Sequence, residues 1–170
     1  MAGAAEIYGE YGAGKSTIWV HRNTSAEIIS VDTNAQWLST VEDAVGPSDR
    51  LQLRYVDVGP VGEWGRPDSY ARRDSFDGYL EAIWKCDAKP QVVLIDGRFR
   101  VACFLTCLKN ADPGTVILFD DYAYRPYYHI VEEILPPQQR TDRMAVFIVP
   151  EQRDFPRIAE MQGMFRMVMD

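Results

Sequence analysis

Histidine and cysteine are scarce in this chain, with two and three residues among 170. Cys86, Cys103 and Cys107 form an odd, sparse set with no paired metal-type spacing, which excludes a disulfide framework and a zinc module. They read as reduced thiols of a cytoplasmic protein, with Cys103 and Cys107 packed into the core from one helix face. No apolar run approaches the ~20 residues of a membrane span. Met1 to Glu6 lack the basic and apolar regions of a signal peptide, so no membrane partner is expected. A basic excess is missing as well. The net charge of −7 argues against nucleic acid, because binding a duplex needs a basic face. Arg72-Arg73 and Arg98/Arg100 are local exceptions, better suited to a small anion than to a polymer. Internal repeats and low-complexity tracts are also absent. What is present, 46% hydrophobic and 25% charged residues, is ordinary for a globule. The length predicts a single domain over 1–170.

Short apolar runs alternate with helical patterns along the chain. Ala5 to Tyr8 leads into a glycine loop, and Ser16 to Arg22 reads as a short helix. "EIISV" is β-rich and ends at Asp32. "TNAQWLSTVEDAV" then reads as a helix capped by Thr33 or Asn34. "LQLRYVDV" alternates like a half-buried strand, and Ser75 to Trp84 is helical in pattern. "QVVLID" and "TVILFDD" are continuous apolar runs of the kind buried on both sheet faces. "VACFLTCLKN" and "YYHIVEEIL" are helix candidates, and "MAVFIV" and the terminal "FRMVM" are expected as two last strands. At least five strand–helix alternations predict an α/β fold with a doubly wound, mostly parallel sheet. Ligands of such sheets sit at the carboxyl ends of the strands. That directs attention to Gly9–Gly14, Asp32, Asp57, Asp96 and Asp120-Asp121.

The glycine loop "GEYGAGKST", Gly9 to Thr17, has two readings. As G-x-x-x-x-G-K-[ST] it is a phosphate-cradling loop, with Lys15 on the phosphates and Ser16 on magnesium. As Glu10-Tyr11-Gly12-Ala13-Gly14 it is an E-x-G-x-G turn that lets a nucleoside cofactor approach the backbone. Both aim backbone N–H groups at the ligand. The second also asks for an acid about 20 residues on, to bind ribose hydroxyls. Asp32 stands there, and the phosphate reading gives it no task.

The stretches "EYGAGKST", "VDTNAQWL", "VDVGPVGEWG", "LIDGRFRVACFL" and "PGTVILFDDYAYRPYYHIVEE" together resemble class I S-adenosylmethionine-dependent methyltransferases. The similarity is to a group of small bacterial methyltransferase-like proteins, and it covers residues 5 to 150. It implies a Rossmann-like sheet with an antiparallel strand at the C-terminal end. It also implies S-adenosylmethionine as cofactor and methyl transfer to a small-molecule oxygen or nitrogen. Glu10, Gly12 and Gly14 would line the methionine end, with Ala13, Ser16 and Asp96 beside them. Asp32 would take the ribose, and Asp57 and Val58 would flank the adenine. Trp37 is placed near the cofactor or, equally well, in the core.

Metal-dependent O-methyltransferases carry acids at the two strand ends occupied here by Asp96 and Asp120-Asp121. The resemblance therefore implies magnesium or calcium at Asp96, Asp120 and Asp121. Arg98 departs from that pattern, and a guanidinium there would neutralise the carboxylates instead. Catalytic candidates are Asp96, Arg98, Asp120, Asp121, Tyr122 and His129, the histidine as a base that titrates near neutrality. His21 needs no functional account. The Gly/Pro-rich stretch Gly59–Asp74, with Trp64, Tyr70, Arg72 and Arg73, has the length of a lid. That lid, or a second subunit of a homo-oligomer, would cap the pocket. A phosphate-loop nucleotide enzyme and a non-catalytic cofactor-binding protein are the alternatives.

Overall fold

The computed structural model describes residues 5–170 and places seven strands in one sheet, in the order β3-β2-β1-β4-β5-β7-β6. The first five strands are β1 (Ile7–Tyr11), β2 (Glu27–Asp32), β3 (Leu51–Tyr55), β4 (Val92–Ile95) and β5 (Val116–Phe119). They pair in parallel. Of the two remaining strands, β7 (Ala145–Ile148) pairs antiparallel with β5, and β6 (Gln139–Arg140) pairs antiparallel with β7 at the edge. This is the expected doubly wound arrangement. Its switch point lies between β1 and β4, where the strand order reverses.

Helices α1 (Lys15–Asn23) and α2 (Ala35–Val45) cover one face, over a small core of Tyr8, Val20, Ala26, Ile28, Val92 and Leu94. Asn34 caps α2, its side chain accepting from the N–H groups of Gln36 and Trp37. The other face holds the larger core, built around α4 (Arg100–Asn110). Every residue of α4 from Arg100 to Leu108 is buried. Cys103 and Cys107 are buried free thiols of that core, and Cys86 is half-buried.

Several elements differ from the sequence expectation. The first strand begins at Ile7 rather than Ala5, and the third stops at Tyr55, leaving Asp57 on a loop. Ser75 to Trp84 is not one helix. It is a short α3 (Phe76–Leu80) between two 3-10 turns, Arg73–Ser75 and Ala82–Trp84. "YYHIVEEIL" winds as a 3-10 helix, Pro126–Glu133. Its aromatic and β-branched residues hold an α-helix poorly. The terminal "FRMVM" is no strand. Helix α5 (Phe155–Phe165) runs through its start, capped by Asp154, whose side chain accepts from the Arg157 N–H, with Pro in its first turn. Ile158 and Met161, three residues apart, bury the apolar face of α5. Beyond α5 the chain returns to the start of α4, where the Arg100 N–H donates to Asp170 Oδ1 at 3.1 Å.

Candidate functional site

At the switch point the backbones of β1 and β4 touch. A Cβ on Gly12, whose φ is +96°, would lie 2.7 Å from the Gly97 Cα. Glycine is therefore required there for the strand ends to meet. Gly14 is different: its Cβ position opens onto empty space, so nothing inside the protein demands a glycine. A bare backbone at a helix start leaves room for a ligand.

Asp32, at the end of β2, closes this loop. Its Oδ2 accepts from the Ala13 N–H at 2.9 Å and its Oδ1 from the Asn34 N–H at 2.7 Å. Burial raises its carboxyl above the usual range, while these backbone donors pull the other way. The Gly12 N–H is spent on the Val31 carbonyl, and the Gly14 N–H on the Thr17 hydroxyl. Three consecutive donors that a phosphate nest needs are thus occupied, one by a carboxylate that would repel phosphate. Ser16, the magnesium residue of the phosphate reading, donates instead to Glu10.

Glu10 does not line the cleft. It is fully buried beneath the loop and accepts from the hydroxyls of Ser16, Thr17, Ser30 and Tyr8. On a strand, alternate residues face opposite sides. Glu10 follows Tyr8 onto the α1 side, where the start of α1 covers it. Burial pushes its carboxyl up to about 7, against the pull of the four hydroxyls.

The ends of β4 and β5 bring Asp96, Asp120 and Asp121 together, with one oxygen of each within 4.8 Å of the others. The cation among them is Arg100, not Arg98. Arg100 is 2% exposed. It donates to the carbonyls of Gly97, Asp120 and Asp96 at 2.9–3.0 Å and to Asp96 Oδ1 at 3.1 Å. Its other nitrogen is 3.5 Å from Asp121. Arg143 grips both oxygens of Asp120, at 2.6 and 2.5 Å, and lies 3.1 Å from Asp121. Arg125 reaches Asp121 at 3.3 Å. Three carboxylates face three guanidiniums. Burial pushes the Asp96 carboxyl up to about 6, with Arg100 opposing and the two neighbouring carboxylates adding to the rise. Burial alone would raise the Asp120 carboxyl, but Arg143, the Asp121 N–H and Asp96 together hold it below its ordinary range.

Backbone strain collects at the same rim. Among the described residues the non-glycine residues with positive φ are Trp64, Phe99 and Asp121. They lie after β3, β4 and β5. A left-handed residue costs ~1–2 kcal/mol, and such strain clusters at functional sites.

No protein-family model and no curated protein matches the sequence. Solved structures do. A methyltransferase-like protein from Silicibacter pomeroyi is 34% identical, with 99% of this chain and 90% of that one covered and a TM-score of 0.83. This chain belongs to that methyltransferase-like family, with the class I fold. Two more distant structures share the fold and were solved with S-adenosylhomocysteine. One is an RNA methyltransferase from Salinibacter ruber, at 14% identity, TM-score 0.58 and coverage of 86% and 82%. The other is an O-methyltransferase from Bacillus cereus, at 17%, 0.58, and 85% and 74%.

On this methyltransferase-like frame the remaining candidates fall into two groups. Asp57 stays at the rim. It accepts from the Gly59 N–H at 2.9 Å and pairs with Arg72 at 2.8 Å. Val58, by contrast, is 1% exposed and belongs to the core. Trp37 is exposed on α2 and stacks on Trp64, with ring centroids 6.4 Å apart and planes 8° from parallel. The loop carrying Trp64 is pinned to the end of β2 by a 2.6 Å bond from the Thr33 hydroxyl to the Gly65 carbonyl. Tyr122 is turned away from solvent, and its hydroxyl donates to Glu132 at 2.6 Å. His129 stacks on the Tyr122 ring, and its Nε2 lies 3.1 Å from the Tyr122 carbonyl. A carbonyl only accepts, so that nitrogen carries the proton. The residues that sequence reasoning missed are Arg100, as the shared cation, and Arg143. The four-residue step from Asp96 to Arg100 was a readable signal. Arg143 gave none, because only the β5–β7 pairing brings it near.

Proposed function

We propose that this protein transfers the methyl group of S-adenosylmethionine to an oxygen or nitrogen of a small molecule. The observation that carries the reading is the carboxylate of Asp32, seated 2.9 Å from the Ala13 N–H. An acid in the throat of the glycine loop suits a ribose diol, which donates hydrogen bonds, and not a phosphate, which repels it. Gly12 to Gly14 border the methionine end. The Trp64 loop, pinned to Thr33, covers the nucleoside end, beside Asp57.

The acceptor then lies against Asp96. Its nucleophilic oxygen or nitrogen attacks the methyl carbon in line with sulfur. The carbon–sulfur bond breaks, its electron pair returns to sulfur as a neutral thioether, and the acceptor's proton passes to Asp96. A carboxyl that titrates near 6 is ionised at neutral pH and still basic enough to take that proton. Orientation of the two reactants supplies most of the acceleration. Asp96, Asp120 and Asp121 have the donor chemistry of a magnesium site, but the residues present do not fit one. Arg143 holds both oxygens of Asp120, and Arg100 holds Asp96. No step is routed through a metal.

Thermal unfolding tests the reading. S-adenosylmethionine or S-adenosylhomocysteine at 100 times its dissociation constant stabilises the fold by ≈ 2.7 kcal/mol, with or without chelator. Stabilisation by ATP–magnesium alone, with no response to either adenosyl compound, overturns it.

A further inference from the structure

The two edges of the sheet are not alike. Strand β6 is two residues long and exposed, and its Arg140 pairs with Glu132, so it offers little to a further strand. Strand β3, at the other edge, is a regular run of five residues, Leu51-Gln52-Leu53-Arg54-Tyr55, with no proline and no bulge. Such an edge invites pairing unless proline, a bulge or charge blunts it. Its one charge, Arg54, is drawn back along its own sheet, where it donates to the Ala82 carbonyl and to Gln52 Oε1.

The free groups of this edge can be assigned. At its start the Arg50 carbonyl accepts from the Ile28 N–H, and past its end the Val56 N–H donates to the Asp32 carbonyl. A parallel ladder uses every second residue of a strand, so Gln52 and Arg54 also turn their backbone groups to β2. Those of Leu51, Leu53 and Tyr55 turn outward. The Leu51 N–H has the Ser48 carbonyl at 3.5 Å, and among the described residues no loop takes up those of Leu53 and Tyr55. The side chains of Leu51, Leu53 and Tyr55 share the α2 side of the sheet, where Leu51 packs on the small core. Tyr55 is 51% exposed. An open groove of ≈ 700 Å³ runs beside them, floored by Pro47, Leu51 and Leu53 and flanked by Glu42 and Asp43.

We propose that β3 pairs antiparallel with β3 of a second copy of this chain, about a twofold axis through Leu53, joining the two seven-stranded sheets edge to edge. In this register Leu53 faces Leu53 and Leu51 faces Tyr55, so the outward groups of the strand bond one another. On the α2 side apolar and aromatic side chains meet. Each Tyr55 enters the groove of the other copy above Leu51, with its hydroxyl toward Glu42 and Asp43, whose carboxylates accept. On the opposite side Gln52 faces Arg54, a pairing the chain already makes with itself at 2.9 Å. An axis through Arg54 would instead set two guanidiniums directly opposite, which is destabilising. A twofold contact closes on itself, so assembly stops at the dimer. The contact is small for a specific interface, and its dissociation constant is expected on the order of 10 μM. None of this depends on the ligand of the cleft.

Sedimentation velocity on the full chain tests the proposal. Wild type should pass from monomer to dimer between ~1 and ~300 μM, and Tyr55→Lys, which puts a charge on the open edge, should weaken the dimer at least ~10-fold. Cysteine cross-linking in a Cys86→Ser background reads the register. Leu53→Cys should form a disulfide-linked dimer, because facing residues of such a pair lie ≈ 5.5 Å apart at Cα, within disulfide reach. Tyr55→Cys, although more exposed, should cross-link far less, because it faces Leu51. Wild type that stays monomeric throughout overturns the proposal. So does a dimer that Tyr55→Lys leaves intact, cross-linking at residue 55 as strong as at 53, or growth beyond the dimer.

Discussion

A lone buried acid and a cluster of three acids sit toward the carboxyl end of this sheet, on the neighbouring strands β1 and β4 and beyond, and they are neutralised by opposite means. Glu10, under the glycine loop, is surrounded by four hydroxyls and, among the described residues, pairs with no cation. Asp96, Asp120 and Asp121 are surrounded by three arginines. Hydroxyls solvate a carboxyl in either protonation state, so the Glu10 network tolerates a proton and serves to hold the loop. Arginines fix charge, which favours the ionised form of Asp120, while burial and crowding prevail at Asp96. The first arrangement suits a scaffold, and the second suits proton transfer.

The sharpest way to break this comparison is at Asp96. Asp96→Asn should lower turnover about 10²- to 10⁴-fold while folding survives. In wild type, kcat/KM should rise with pH through about 6, as the base becomes ionised. A flat profile between pH 5 and 7 removes Asp96 from proton transfer. Next in size is the hub. Arg100→Met strips the buried cation from two carboxylates and should cost about 3–5 kcal/mol, read by urea denaturation. A loss under 1 kcal/mol shows that Arg125 and Arg143 suffice.

Glu10 gives a smaller effect with a distinctive sign. Its carboxyl ionises near 4.5 when unfolded and holds its proton up to about 7 when folded. Between those values the unfolded chain binds fewer protons. Stability therefore falls as pH rises through that window and levels off above 7. Glu10→Gln should flatten that slope without changing the pH dependence of turnover. If the mutant keeps the wild-type slope, another group is titrating. Smallest of all, Lys15→Ala should leave cofactor affinity within about threefold, below ~0.7 kcal/mol. Its side chain lies on the exposed start of α1, and a nucleoside turn uses only the backbone there. A tenfold loss would revive the phosphate-loop reading.

The sequence by itself determined the alternation of strands and helices, because buried parallel strands need continuous apolar runs such as "VVLI" and "VILF". It directed attention to the carboxyl ends of the strands, since the acids follow those runs. It also set Asp32 20 residues after Gly12, a spacing that suits a nucleoside turn. Helix α5 went unread, although Asp154 ahead of Pro156 marks its start and Ile158 with Met161 its face. The tertiary structure alone decided which way each side chain turns. Strand alternation carries Glu10 beneath the loop, and close packing takes Val58 into the core and Tyr122 onto Glu132. It decided which arginine serves the acids, because Arg100 points back at the strand ends, whereas Arg98, on the turn itself, makes no ion pair among the described residues. And it brought Arg143 to Asp120 through an antiparallel pairing between strands far apart in sequence. Such contacts depend on register across the sheet, and no local pattern encodes register.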